Sequence, residues 1–173
     1  RRGNPTNQTN LLKGPHSMAV VVNKPIPEFE AVATGNLKVS NQTHLGQTVV
    51  LYFYPKDDTP GCTKEACEFR DRYAEFLELG CAVFGISSDS EDSHIGFIEK
   101  HGLPYPLLSD RNKTVRKLFG VPGNLFGLIP GRVTYIIDEQ GIVIGVFNSQ
   151  LDPIGHIDAA IKLLQPHPNE SKT

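Results

Sequence analysis

A chain of 173 residues and 19.0 kDa, 39% hydrophobic with a net charge of −2, has enough apolar material for one domain with a buried core. The near-neutral balance without a basic patch argues against nucleic acid as a partner, and no apolar run approaches the ~18 residues of a membrane span. Three cysteines are too few for a disulfide framework and suit a reducing compartment, where a disulfide is transient. The first segment, Arg1 to Ser17, carries Arg1, Arg2 and Lys13 but no acid and is rich in Asn, Thr and Gln. Gly14-Pro15-His16-Ser17-Met18 reads as a protease scar and cloning junction, so residues 1–17 are expected to be a disordered leader outside the fold. The alternative is the remnant of an organelle transit peptide, which is also basic and acid-poor. The folded domain is then expected over residues 18–165.

Phe29 to Val39 predicts short strands around a Gly35-Asn36 turn. Thr48 to Tyr54 is a β-branched and aromatic run that reads as a buried strand. Directly after it comes Asp57-Asp58-Thr59-Pro60-Gly61-Cys62-Thr63-Lys64-Glu65-Ala66-Cys67, in which a Pro-Gly turn opens a segment of helical periodicity. The spacing predicts a helix from Gly61 to about Leu79, with Cys62, Ala66, Phe69, Tyr73 and Phe76 on one core-facing stripe. Cys62 thus falls in the first turn, where unpaired N–H groups and the positive end of the helix dipole favour a thiolate. Cys67 is rotated by about 140° toward the wetter face. In an intact helix the two Cα atoms lie about 8.6 Å apart. A disulfide tolerates at most about 7 Å, so the pair can bond only if the helix unwinds locally.

Cys81 to Ser87 reads as a second buried strand, and Cys81 as a packing residue within it. With the preceding strand and helix it forms a right-handed βαβ unit. Asp89 or Ser90 can cap a helix to about His101, whose His94 and His101 are expected on a solvated face. Asp110 precedes a short helix through Val115, Leu118 and Phe119. Val133 to Asp138 and Ile142 to Phe147 flank Glu139-Gln140-Gly141 as a hairpin with glycine at the left-handed position. Asp152-Pro153 opens a last helix with the stripe Ile154, Ile157, Ile161 and Leu164. Gln165-Pro166 ends it, and residues 166–173 are a polar tail. A βαβ half followed by a hairpin and a closing helix resembles the thioredoxin-like arrangement. The expected fold class is therefore α/β, with a central mixed sheet flanked by helices and N-terminal β additions.

Pro55, Thr59 and Cys62 reproduce the Pro-x-x-x-Thr-x-x-Cys signature, and the chain thereby resembles the peroxiredoxins. The fuller run Tyr54 to Asp71 is similar to their PrxQ, or bacterioferritin comigratory protein, subfamily. The likeness continues through Gly85-Ile86-Ser87, Leu108-Ser109-Asp110 and Phe126 to Arg132, and covers roughly Asn23 to Gln165. The resemblance implies that Cys62 is the peroxidatic cysteine and Cys67 the resolving one. It further implies that Thr59 and Arg132 complete a peroxide pocket shielded by Pro55; spacing alone does not single out Arg132. Cys81 is an addition to the pattern.

The chemistry asks for these residue types. Sulfur displaces one peroxide oxygen from the other, so thiolate is the species needed. A free thiol is only about 3% ionised at neutral pH, and a two-unit pKa depression is worth about 2.7 kcal/mol. A helix N-terminus supplies at most about 2 kcal/mol of this, which leaves the rest to a nearby cation such as Arg132. The Thr59 hydroxyl can accept from one peroxide oxygen and donate to the other.

The expected function is a thiol peroxidase for hydrogen peroxide and organic hydroperoxides. It would pass through a Cys62 sulfenic acid and a Cys62–Cys67 disulfide, be recycled by thioredoxin, and need no cofactor. The alternatives are a thiol–disulfide oxidoreductase or redox sensor, and a silent binding module. Zinc is disfavoured because Cys62-x4-Cys67 has no second close Cys/His pair, and no Cys-x-x-Cys suggests a dithiol reductase. A monomer in a bacterial-type cytoplasm is expected, or in a chloroplast if residues 1–17 are native.

Overall fold

The computed structural model describes residues 20–124, 126 and 128–166. The leader expected at residues 1–17 and all but Pro166 of the polar tail lie outside the described residues, as does Gly127.

The chain begins with a hairpin of β1 (Glu30–Ala33) and β2 (Leu37–Ser40), turned by Gly35 and Asn36 at φ of 80° and 59°. β3 (Thr48–Phe53) leads through α1 (Pro60–Asp71) and α2 (Tyr73–Glu78) to β4 (Cys81–Ser87). β3 and β4 pair in parallel from Thr48↔Cys81 to Phe53↔Ile86, as the βαβ reading requires. α3 (Glu91–His101) then crosses to β5 (Leu107–Ser109), which is parallel to β4. After α4 (Thr114–Phe119) comes a small pair, β6 (Gly123–Asn124) with β7 (Ile129–Pro130). β8 (Val133–Ile137) and β9 (Val143–Asn148) form the expected hairpin, with Gly141 at φ 79°, and α5 (Pro153–Leu164) closes the chain.

The main sheet runs β2-β1-β5-β4-β3-β8-β9. β8 lies antiparallel on one side of β3 and β4 parallel on the other, so β3 is an interior strand. Its side chains alternate between two apolar layers. Val50, Tyr52 and Tyr54 join Phe69, Phe76 and Ile157 on the α1–α5 face, whereas Leu51 and Phe53 join Phe119 and Tyr135 on the other. Burial on both faces explains why this strand reads as a continuous apolar run.

Three expectations need correction. The helix expected to run unbroken to Leu79 breaks at Arg72, whose φ and ψ of −106° and 12° leave the helical region. The Arg72 guanidinium is held at the break by Glu75 at 2.7 Å and by Asp158 of α5 at 2.5 Å. Ile154 is exposed rather than part of the buried stripe, because α5 turns His156, Ile157, Ala160 and Ile161 inward. His94 is fully buried rather than solvated.

Candidate active site

The site sits at the carboxyl end of β3, where the chain leaves the sheet and starts α1. Thr59 occupies the N-cap position with an extended backbone, and Pro60 takes the first helical position, where its missing N–H is no loss. The Thr59 hydroxyl does not cap the helix. It donates instead to the Lys56 carbonyl at 2.8 Å, closing the turn in front of the helix and keeping its lone pairs available as acceptors. First-turn N–H groups, including those of Gly61 and Cys62, have no intrahelical acceptor. Cys62 lies among them with its side chain 1% exposed. Pro55 lies two residues past the end of β3 and is half-buried on the same loop.

Arg132 comes from the neighbouring strand, immediately before β8, whose Val133 pairs with Phe53. Its Nη2 donates to Cys62 Sγ at 3.4 Å, Nη1 to Glu65 Oε1 at 3.0 Å, and Nε to the Gln150 carbonyl at 3.2 Å. Gly61 makes the approach feasible: a Cβ there would stand 3.0 Å from Arg132 Nη2. Burial works against the guanidinium charge, but Glu65 and Cys62 more than offset it, and the Arg132 pKa is raised.

Glu65 is the partner that sequence reasoning missed. It is fully buried, and burial pushes its pKa up to about 8 against the opposing pull of Arg132. Oε1 accepts from Arg132, while Oε2 has no hydrogen-bond partner among the described residues. His156 Nδ1 lies 3.6 Å from Oε2, but this is not an ion pair, because burial lowers the His156 pKa to about 4. The neutral ring donates from Nε2 to the Ser149 carbonyl and accepts at Nδ1 from Thr134 Oγ1. The hydrogen bond to Oε1 fixes the Arg132 fork and leaves Nη2 facing the sulfur. The signal available in the sequence was spacing: Cys62, Glu65 and Phe69 fall at i, i+3 and i+7 on the buried stripe.

Cys67 is half-buried on the adjacent face of α1, and all three cysteines are free thiols. Beneath it, Tyr105 donates to the Ala66 carbonyl at 2.8 Å, and Arg70 reaches from the next turn to the His101 carbonyl at 2.6 Å. Cys81 is buried at the start of β4, and burial pushes its thiol up to about 12. It is a packing residue, as its strand position implies.

A second polar centre braces the loop that carries Pro55 and Thr59. Asp57 accepts from Tyr54 Oη at 2.6 Å, His94 Nδ1 at 2.7 Å and Ser93 Oγ at 2.8 Å, and its own N–H donates to Asp89 at 2.9 Å. His94 Nε2 donates to the Leu108 carbonyl at 2.9 Å. Asp57, Asp89 and His94 bring three ligand atoms of the kind that hold metals within 4.8 Å of one another, yet these groups are already committed to hydrogen bonds with one another and with their neighbours. The cluster is a hydrogen-bonded hub, and His94 takes a core position because every polar atom it buries is matched. Its i, i+3 relation to buried Phe97 was the readable clue.

Residues 22–146 match the AhpC/TSA family. The sequence is 54% identical to a chloroplastic peroxiredoxin Q of Sedum lineare over 139 residues, 80% of this chain and 75% of that relative. The chain spans about two thirds of the length of several further chloroplastic relatives of that name. The fold is similar to the crystal structure of peroxidoxin BcpB from Mycobacterium tuberculosis, with TM-score 0.77, 36% identity and coverage of 84% of this chain and 96% of that one. It is also similar to a Xanthomonas campestris bacterioferritin comigratory protein described for alkyl peroxide reduction, with TM-score 0.72, 31% identity and coverage of 79% and 89%.

Proposed function

We infer the chemistry from one premise: the chain belongs to the AhpC/TSA family and, within it, to the peroxiredoxin Q group of thiol peroxidases with a thioredoxin-like fold. The observation that carries the mechanism is a buried Cys62 sulfur at the open N-terminus of α1 with Arg132 Nη2 at 3.4 Å. Cys62 thiolate attacks one oxygen of a peroxide ROOH, the O–O bond breaks, and the leaving oxygen takes a proton to depart as ROH or water. Cys62 is left as a sulfenic acid. Arg132 holds the peroxide and spreads the charge that develops on the leaving oxygen, and Thr59, whose own proton goes to the Lys56 carbonyl, accepts a hydrogen bond from the attacked, proton-bearing oxygen. Pro55, with no N–H to offer, forms the apolar side of the mouth.

Cys67 thiolate then attacks the sulfenic sulfur, the S–O bond breaks, and the departing hydroxide takes up the proton that Cys67 lost and leaves as water, forming the disulfide. Two electrons from an external dithiol restore both thiols, and the family points to a thioredoxin-type protein. Hydrogen peroxide and alkyl hydroperoxides are the substrates proposed, the latter supported by the Xanthomonas relative. An intramolecular disulfide needs no second subunit, so a monomer suffices. The names of the curated relatives favour the chloroplast over the cytoplasm. No helix among the described residues is long and apolar enough to cross a membrane. In the deciding assay, NADPH is consumed when the protein, thioredoxin, thioredoxin reductase and peroxide are combined. A protein that exchanges disulfides but leaves peroxide untouched would overturn the reading.

The intact α1 sets a further expectation. Since the helical separation of Cys62 and Cys67 exceeds disulfide reach by about 1.6 Å, the disulfide form loses helix within Gly61 to Glu68. Phe69 is fully buried and stacked on Tyr52 at 4.5 Å, so the opening stops there. Hydrogen exchange on both redox forms measures this. Equal protection across Cys62 to Cys67 in protein that mass spectrometry shows to carry the disulfide would refute it.

A further inference from the structure

Arg116 of α4 is a buried guanidinium that the chemistry above does not use. Only 8% of it is exposed, and among the described residues no carboxylate lies within ion-pair distance of it. A permanently charged group is seldom buried in this way without a task. Its donors are spent on two main-chain carbonyls: Nη1 on Gly131 at 3.2 Å and Nη2 on Tyr54 at 3.3 Å. Those are the residues immediately before Arg132 and Pro55. The guanidinium also lies 5.7 Å from the ring centroid of Phe53, the last residue of β3.

The fork is rigidly mounted. The Asp110 carboxylate accepts from the Val115 and Arg116 amides at 3.0 and 2.9 Å and so fixes the start of α4. Gly131 is equally constrained, since a Cβ there would fall 1.9 Å from the Pro122 carbonyl oxygen. Burial lowers the Arg116 pKa, and Asp110, Tyr135 and Cys62 oppose that shift.

We propose that Arg116 is a positioning residue of the peroxide pocket, tying the carbonyl ahead of Pro55 to the carbonyl ahead of Arg132 and adding a second buried cation to the field at Cys62. The proposal rests on the reading of Cys62 as the attacking thiolate. A planar guanidinium is the side chain suited to bridge two carbonyls with two parallel arms; lysine keeps the charge but can span only one.

The test compares wild type, Arg116→Gln and Arg116→Lys. Arg116→Gln is expected to slow peroxide oxidation of Cys62 about tenfold, the equivalent of one pKa unit, and to move the alkaline rise of Cys62 alkylation to higher pH. Arg132, which donates to the sulfur, and Glu65 and the neutral His156 behind it are retained in every variant. Arg116→Lys is expected to restore the alkylation profile while recovering only part of the peroxide rate. Arg116→Gln reacting at the wild-type rate would overturn the proposal. If Arg116→Gln does not fold by circular dichroism, Arg116→Lys decides alone, and a full wild-type rate there removes the need for a two-armed tie. Failure of the wild type to consume peroxide is a different outcome, and overturns the peroxidase reading itself.

Discussion

Cys62→Ser is expected to consume no peroxide at any concentration of thioredoxin, whereas Cys67→Ser reduces one equivalent and then stalls. The first half follows from chemistry: a serine hydroxyl is not ionised near neutral pH and is a poor nucleophile toward peroxide oxygen, so the loss is complete within assay sensitivity. Cys62 is 1% exposed in a pocket of unchanged shape, so the isosteric swap leaves the fold intact. The second half follows from placement. Cys67 does not touch the sulfur that reacts, and it enters only when α1 opens. A rapid-mixing experiment therefore shows a full first turnover in Cys67→Ser and a sulfenic acid that dimedone traps. A Cys67→Ser protein that cycles with thioredoxin at the wild-type rate would remove Cys67 from the resolving role. Cys81 is poorly placed to replace it, buried in β4 with a thiol pushed up to about 12.

Where function could be read from the sequence, a local pattern was complete by itself. The β3 run, the Pro-Gly turn and the helical stripe behind Cys62 all lie within one strand–helix unit, so periodicity and capping sufficed to put the cysteine at a helix start. The α5 cap was similarly local, with Asp152 Oδ1 accepting from the Gly155 amide at 3.0 Å. What escaped depends on contacts far apart in sequence. Arg132 is 70 residues from the sulfur it touches, and only family likeness drew attention to it. Glu65 looks like an ordinary solvated helix residue until Arg132 arrives to satisfy it. His94 looks like a surface residue until Asp57 and the Leu108 carbonyl, 37 and 14 residues away, take its two nitrogens. Buried polar groups are decided by partners, and partners are a property of the fold.

The same dependence makes Arg132→Met the most severe substitution outside the cysteines. It removes the hydrogen bond to Sγ and the donor aimed at the developing oxyanion, and losing one such donor typically costs 10²–10³ in rate. A fall of roughly that size in the second-order reaction with peroxide is the expected result, measured by the loss of free Cys62 thiol. An unchanged rate would mean that the helix terminus and its free N–H groups suffice. The fold survives because of Glu65. With its pKa already pushed up to about 8 by burial, the carboxyl keeps its proton when the guanidinium is gone and leaves no bare buried charge. The pH dependence distinguishes this from a collapsed pocket. A carboxyl whose folded pKa lies above its unfolded value of 4.5 contributes stability that is fully present below pH 4.5 and is lost as pH rises toward 8. Its limiting slope is about 1.4 kcal/mol per pH unit. Urea unfolding at stepped pH should therefore show stability declining between pH 5 and 8 from this residue, a slope that Glu65→Gln removes. In Arg132→Met the decline extends to higher pH, since the guanidinium that pulled the Glu65 pKa down is absent. A pH-independent difference between wild type and Glu65→Gln would show that Glu65 is ionised throughout, and that Arg132 is held by a true ion pair rather than by a protonated acid.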